Sequence, residues 1–109
     1  MVAIAADERR LVSAVTLLEA RMVMRGRYGE SGHEALQDLL EVIAADIVPF
    51  DEVQAGLAYA AFLAYGKGIN PASRLNFCDC AAYALAKVFG AALLFKGDDF
   101  RATDIVPAV

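Results

Sequence analysis

The 109-residue sequence contains no uninterrupted apolar run of the roughly 18 residues that a membrane-spanning helix needs. Its opening, Met1-Val2-Ala3-Ile4-Ala5-Ala6, carries no basic leader and runs directly into Asp7 and Glu8, unlike a secretory signal. Histidine is almost missing: His33 stands alone. Ser13 and Thr16 therefore have no histidine base nearby in sequence, which argues against a serine-type triad. The only cysteines, Cys78 and Cys80, point to different faces of a helix at that spacing and should not pair. Cys78-Asp79-Cys80 also offers too few ligands, wrongly spaced, for structural zinc. A reducing, cytoplasmic compartment is expected. Positive charge is scarce, with 10 Lys and Arg against 14 Asp and Glu and a net charge of −4. Such a balance opposes a broad electrostatic grip on nucleic acid. It leaves open a nuclease that approaches phosphate through bound cations, because a metal reverses the sign of an acidic pocket.

What is abundant is apolar surface, at 59% of residues, much of it alanine, which suits close-packed helices in one domain. Residues 11–15 read as a short buried strand. Thr16-Leu17-Leu18-Glu19 has the capping-box pattern and opens a helix to about Tyr28-Gly29. Ser31-Gly32-His33-Glu34 repeats that pattern before a second helix striped by Leu36, Leu39, Leu40 and Ile43. Residues 46–50 form a strand ended by Pro49. Asp51 to Gln54 cap a helix that stops near Gly66. Residues 67–73 are the clearest loop. Asn76 caps a helix from Phe77 to Phe89, which Gly90 terminates. Residues 92–95 read as a strand buried on both faces, 97–100 as a turn and 105–107 as a weak strand. Helices alternating with short apolar strands predict an α/β layered fold with a largely parallel sheet.

Three acidic positions stand out on this map. Glu19 falls in the first turn after the first visible strand, and Asp79 in the first turn after the long loop. Asp98 and Asp99 follow the strand ending at Lys96. Groups at the carboxyl ends of parallel strands converge on one crevice. Two carboxylates about 4 Å apart repel by roughly 4 kcal/mol at an effective dielectric near 20. A divalent cation such as Mg²⁺, which prefers hard oxygen ligands, removes that repulsion and can activate water. Each position has a plainer explanation as well. Glu19 completes a capping box, Asp79 suits a helix dipole, and Asp98-Asp99 is ordinary turn chemistry. Arg21, Arg25 and Arg27, with Lys67 and Arg74, either touch phosphate or a partner or form a solvated face.

Residues 75–87, Leu-Asn-Phe-Cys-Asp-Cys-Ala-Ala-Tyr-Ala-Leu-Ala-Lys, resemble the helix motif LNFGDCxAYALAK of VapC-type PIN-domain ribonuclease toxins. Leu93 to Phe100, with Thr103-Asp104-Ile105, is similar to that subgroup's LLFKGDDFxxTDI. Ser13 to Ala20 resembles its strand-to-helix segment with a catalytic Glu. The resemblance implies a PIN-like three-layer fold, a mostly parallel central sheet flanked by helices. It implies Glu19 and Asp79 as metal-binding acids, completed by Asp98 or Asp99, with Asp99 favoured, and Ser13, Thr16 and Asn76 as supporting polar groups. Members cleave RNA by metal-dependent hydrolysis with Mg²⁺ (Mn²⁺ as substitute). They are inhibited by a VapB antitoxin whose C-terminal segment covers the site, and are commonly homodimers.

Two departures matter. Cys78 stands where the family usually has glycine, beside Asp79, and is expected to crowd the site. The family's opening VxDTSA strand, central in its sheet and bearing the first metal acid, has no counterpart, so about a quarter of a standard member is expected to be absent. Losing four or five buried apolar side chains at roughly 1.5–3 kcal/mol each removes on the order of 10 kcal/mol, comparable with a whole domain's stability. The expected function is a VapBC-type toxin, an Mg²⁺-dependent endoribonuclease. The alternative is an impaired module that binds antitoxin without cutting RNA.

Overall fold

The structure, a computed structural model, describes residues 2–66, 68 and 75–94, apart from the side chains of Leu93 and Leu94. Strands Val2–Ile4 (β1) and Arg10–Ser13 (β2) form a hairpin. Its turn closes with the Ala5 amide donating to the Arg9 carbonyl at 3.0 Å and the Glu8 amide to the Ala5 carbonyl at 2.9 Å. Helix α1 (Ala14–Tyr28) follows directly, and Gly29 turns the chain into α2 (Glu30–Val42). Strand β3 (Asp46–Val48), helix α3 (Glu52–Tyr65), helix α4 (Phe77–Phe89) and strand β4 (Ala92–Leu94) complete the order.

The sheet runs β3-β2-β1-β4. β2 and β3 are parallel, with Ser13 opposite Val48, and β1 is antiparallel to both of its neighbours. Strands β2, β3 and β4 therefore share one direction and end at one edge, as a largely parallel α/β sheet requires. β1 is the exception. The sequence reading gave Val2–Ile4 no strand and expected an absent central one. Instead this segment lies between β2 and β4. A two-stranded connection this short permits only antiparallel pairing, since a parallel neighbour needs a crossover of a dozen residues or more.

Helix α4 is the centre of the core. Every residue from Cys80 to Ala86 is buried, which is the pattern of a helix enclosed on all sides. Its alanines let α3 and the sheet approach closely. Ala61 and the half-buried Ala58 and Tyr65 of α3 pack on it, as do Ala3 of β1 and Leu11 of β2. The rings of Tyr65 and Tyr83 meet tilted at 5.8 Å. Val12, alternating to the other face of β2, is buried too, so the sheet is covered on both sides there. Gln54 is buried at the start of α3, where its amide donates to the Pro49 carbonyl at 3.0 Å and fixes the β3–α3 junction.

Helix signals were read correctly at α3 and α4. The Asp51 carboxylate accepts from the Gln54 amide at 2.9 Å, and Gly90 ends α4 in the left-handed conformation with φ 59°. Two other starts differ. α1 begins at Ala14 and is capped by Ser13, three residues before the expected cap, because the Ser13 hydroxyl accepts from the Val15 amide at 3.2 Å. Ala14 and Val15 are thus helical, and the Thr16–Glu19 capping box does not exist. α2 has no side-chain cap; the Ser31 hydroxyl donates to the Tyr28 carbonyl instead. The stripe on α2 is poorly covered: Gly32 is its only buried residue, and Leu39 is exposed. The loop at 67–73, apart from Gly68, lies outside the described residues, as do the turn at 97–100 and the strand at 105–107.

Gly32 marks the tight approach of α1 and α2. A Cβ there would lie 2.5 Å from the Met24 carbonyl oxygen and 2.8 Å from the Tyr28 Cβ. Ala44, just past α2, has the opposite problem, a Cβ at φ 51°. Gly32→Ala should lower stability by about 1–3 kcal/mol, and Ala44→Gly should raise it by about 0.5–1 kcal/mol. Urea midpoints of the two variants should move in opposite directions.

Candidate functional site

Because α1 starts at Ala14, Glu19 sits in its second turn, too far along to cap the helix. The capping explanation for Glu19 is thereby removed. It lies near α4 instead, where its negative charge acts on the Cys78 thiol. α1 packs against both β2 and α4, which brings these two helix beginnings together.

Asp79 keeps its structural role. The Asn76 side chain accepts from the Asp79 amide at 2.9 Å, and Asp79 Oδ2 accepts from the Asn76 amide at 3.0 Å. This full capping box fixes the carboxylate at the positive end of α4. Asp79 is half-buried and its negative charge acts on Cys78, as does that of Glu19. The thiol is pushed up to about 11, first by burial, then by Glu19 and, less, by Asp79. Burial and the charge of Asp79 also push Cys80 up. Both cysteines are free thiols.

Glu19 and Asp79 thus each lie near enough to Cys78 for their charges to act on its thiol. Of the supporting polar groups, Asn76 holds Asp79, Ser13 is fully buried as the α1 cap, and Thr16 is buried one turn before Glu19. Asp98 and Asp99 lie outside the described residues. β4, which precedes them, ends at the sheet edge where β2 delivers the chain to α1. Among the described residues, no group of three or more His, Cys, Asp or Glu is arranged to hold a metal. His33 is half-buried in a shallow cleft between α1 and α2 with Arg21, Arg25 and Glu30, the last two forming an exposed ion pair. Arg27 is exposed, and Lys67 and Arg74 lie outside the described residues.

An apolar groove of about 430 Å³ runs between α3 and α4, lined by Phe50, Ala58, Tyr59, Phe62, Phe77 and Cys80. Its lining carries no carboxylate, so it is not where the acids act. Asn76 joins the two places, lining the groove while capping Asp79. The sequence reading did not single out this groove. Its aromatic residues are spread over a loop and two helices, with no shared spacing to reveal them.

The PIN-domain family profile matches residues 2–106. Ribonuclease VapC30 of Mycobacterium tuberculosis is 46% identical over 103 residues, which cover 94% of this chain and 78% of that protein. The chain belongs to the VapC-type PIN-domain family. Ribonuclease VapC of Mycolicibacterium smegmatis is 44% identical over 103 residues, covering 94% of this chain and 79% of its own. Ribonuclease VapC42 of M. tuberculosis is 38% identical over 97 residues, or 89% and 74%.

In this PIN domain the capping and charge roles of Asp79 can be separated. Asp79→Asn keeps an oxygen for the Asn76 amide, whereas Asp79→Ala removes it. The alanine variant should lose about 0.5–2 kcal/mol of stability and the asparagine variant little, as read by thermal melts.

A thiol raised from 9.0 to about 11 carries about a hundredth of the ordinary thiolate near pH 8. Cys78 of the PIN domain should therefore alkylate slowly with iodoacetamide at pH 8. Glu19→Gln removes a raising charge, so the pKa falls and alkylation at Cys78, localised by fragment-ion mass spectrometry, should accelerate.

Proposed function

We propose that this PIN domain is an Mg²⁺-dependent endoribonuclease, the toxin component of a VapBC-type toxin–antitoxin pair. The observation that carries this reading is that Glu19 and Asp79, from two different helices, both lie near Cys78. The three relatives described above are named as VapC ribonucleases, which supports the substrate class.

The donor chemistry suits a hard cation. Two carboxylates come from two helices, and Asp79 retains oxygen lone pairs after accepting from the Asn76 amide. Glu19 and Asp79 would hold Mg²⁺, or Mn²⁺ in its place, with Asp99 or Asp98 completing the set. When bound, the ion would supply an activated water and offset charge on the phosphodiester. Asn76 fixes the direction of the Asp79 carboxylate, and Ser13 fixes the start of α1 and with it the position of Glu19. The scarcity of positive charge fits this arrangement, because the cation rather than a basic surface would meet the phosphate.

The proposed partners are RNA, a VapB-type antitoxin and a second copy of the chain, in the cytoplasm. Exposed apolar side chains support protein partners: Leu18, Met22 and Val23 on α1, Leu39 and Val42 on α2, and Tyr59, Phe62 and Phe77 around the groove. No helix among the described residues is long and apolar enough to cross a membrane.

RNA cleavage with Mg²⁺ should fall by at least about 100-fold in both Glu19→Gln and Asp79→Asn, at or beyond the upper range for losing an outer-shell partner. Equal cleavage by wild type and Asp79→Asn would remove Asp79 from the mechanism. A wild-type chain that binds antitoxin yet leaves RNA intact would select the non-cleaving module instead.

A further inference from the structure

We propose that one face of α1, with the cleft it forms against α2, is a binding strip for single-stranded RNA. Among the described helices α1 alone has more basic than acidic side chains: Arg21, Arg25 and Arg27 against Glu19. Arg21, Arg25 and Tyr28 recur at helical spacing, so they share one face over about 10 Å of helix. All three are exposed, Tyr28 at 60%. Arg21 and Arg25 line a cleft of about 390 Å³, which His33 lines from α2. Arg21 has no ion-pair partner among the described residues. Arg25 pairs with Glu30, but an exposed pair holds weakly and uses few of the five guanidinium N–H groups. Glu34, Asp38 and Glu41, the other acids of α2, do not line the cleft.

These are the two kinds of group by which a protein holds a single strand. Arginine forks meet phosphate oxygens in pairs, and an aromatic ring gives a base of any identity a stacking surface. A neutral histidine still donates one ring N–H. Tyr28 favours a nucleic acid over a free phosphate or an acidic peptide, neither of which has a base to stack. The net charge of −4 sharpens the placement, because a strand repelled elsewhere is held where positive charge gathers. Glu19 is on the same helix but outside this row. The strip would therefore hold nucleotides flanking the reacting phosphate. The choice of RNA rests on the proposed function; the basic and aromatic row does not.

The test uses the full chain and a fluorescein-labelled oligouridylate in EDTA, with binding read by anisotropy over a range of salt. Arg21→Gln and Arg25→Gln should each weaken binding about fivefold near 0.1 M salt and flatten the log–log salt slope by about 0.7. Tyr28→Leu should weaken it at least about fivefold and leave the slope unchanged. Glu30→Gln releases Arg25 and should tighten binding about two- to fivefold. Arg27→Gln, on the same helix but off the row, should stay within about twofold of wild type. Equal losses in Arg27→Gln and Arg21→Gln overturn the proposal, leaving only diffuse helix charge. So does a Tyr28→Leu chain that binds like wild type, or polyglutamate that displaces RNA as readily as unlabelled RNA does. Wild type that binds no RNA in EDTA overturns the strip, while Mg²⁺-dependent cleavage lost in Asp79→Asn would still uphold the nuclease. RNA held by this face in a chain that never cuts it would remove the nuclease and keep the strip.

Discussion

Helix α4 is buried without a break from Cys80 to Ala86, and this constraint orders the rest of the molecule. A helix with no solvent face must be surrounded, here by α3, by β1 and β2, and by the start of α1. Small side chains make that enclosure possible, because alanines let backbones approach where leucines would hold them apart. Once the buried stretch is fixed, so is the unburied turn before it. Asn76, Phe77, Cys78 and Asp79 are left at the rim, with the positive end of the helix directed at whatever lies there. The position of Asp79 is thus a consequence of core packing.

Glu19 reaches the same rim from α1, and the balance of forces there can be weighed. A helix N-terminus stabilises a nearby carboxylate by about 0.3–1 kcal/mol. Two carboxylates brought to 4 Å would repel by several times that, roughly 4 kcal/mol at an effective dielectric near 20. Dipoles and single hydrogen bonds offset part of such a repulsion, and a thiol kept protonated beside the acids adds no charge to it.

Much of this was legible from residue types. Asn76 and Gly90 bounded α4, Asp51 capped α3, and Pro49 ended β3, because each acts through its own backbone or its nearest neighbours. The failures were of another kind. Ser13 and Thr16 are both good caps three residues apart, and sequence alone does not choose between them. The parallel pairing of Ser13 with Val48 keeps Ser13 extended and hands it the capping role. Choosing Thr16 made Glu19 look like a cap. Val2–Ile4 is too short to announce a strand; it becomes one by filling a place between β2 and β4. The nearness of Cys78 to Glu19 depends on α1 meeting α4, which no local pattern encodes.

The place where apolar burial runs short also follows from this packing. With the family's opening strand absent from this chain, β1 lies between β2 and β4, and Ala3 is fully buried there. The deficit falls on α1 and α2, whose only buried residues are Thr16 and Gly32. Leu18, Met22, Leu39 and Val42 are each more than half exposed. Covering such side chains is worth about 1.5–3 kcal/mol each, a sum comparable with the net stability of a small domain. A partner that buried them would stabilise the helix carrying Glu19 as it bound. Partner binding and the position of Glu19 would then be linked through α1, because Leu18 and Met22 share that helix with Glu19.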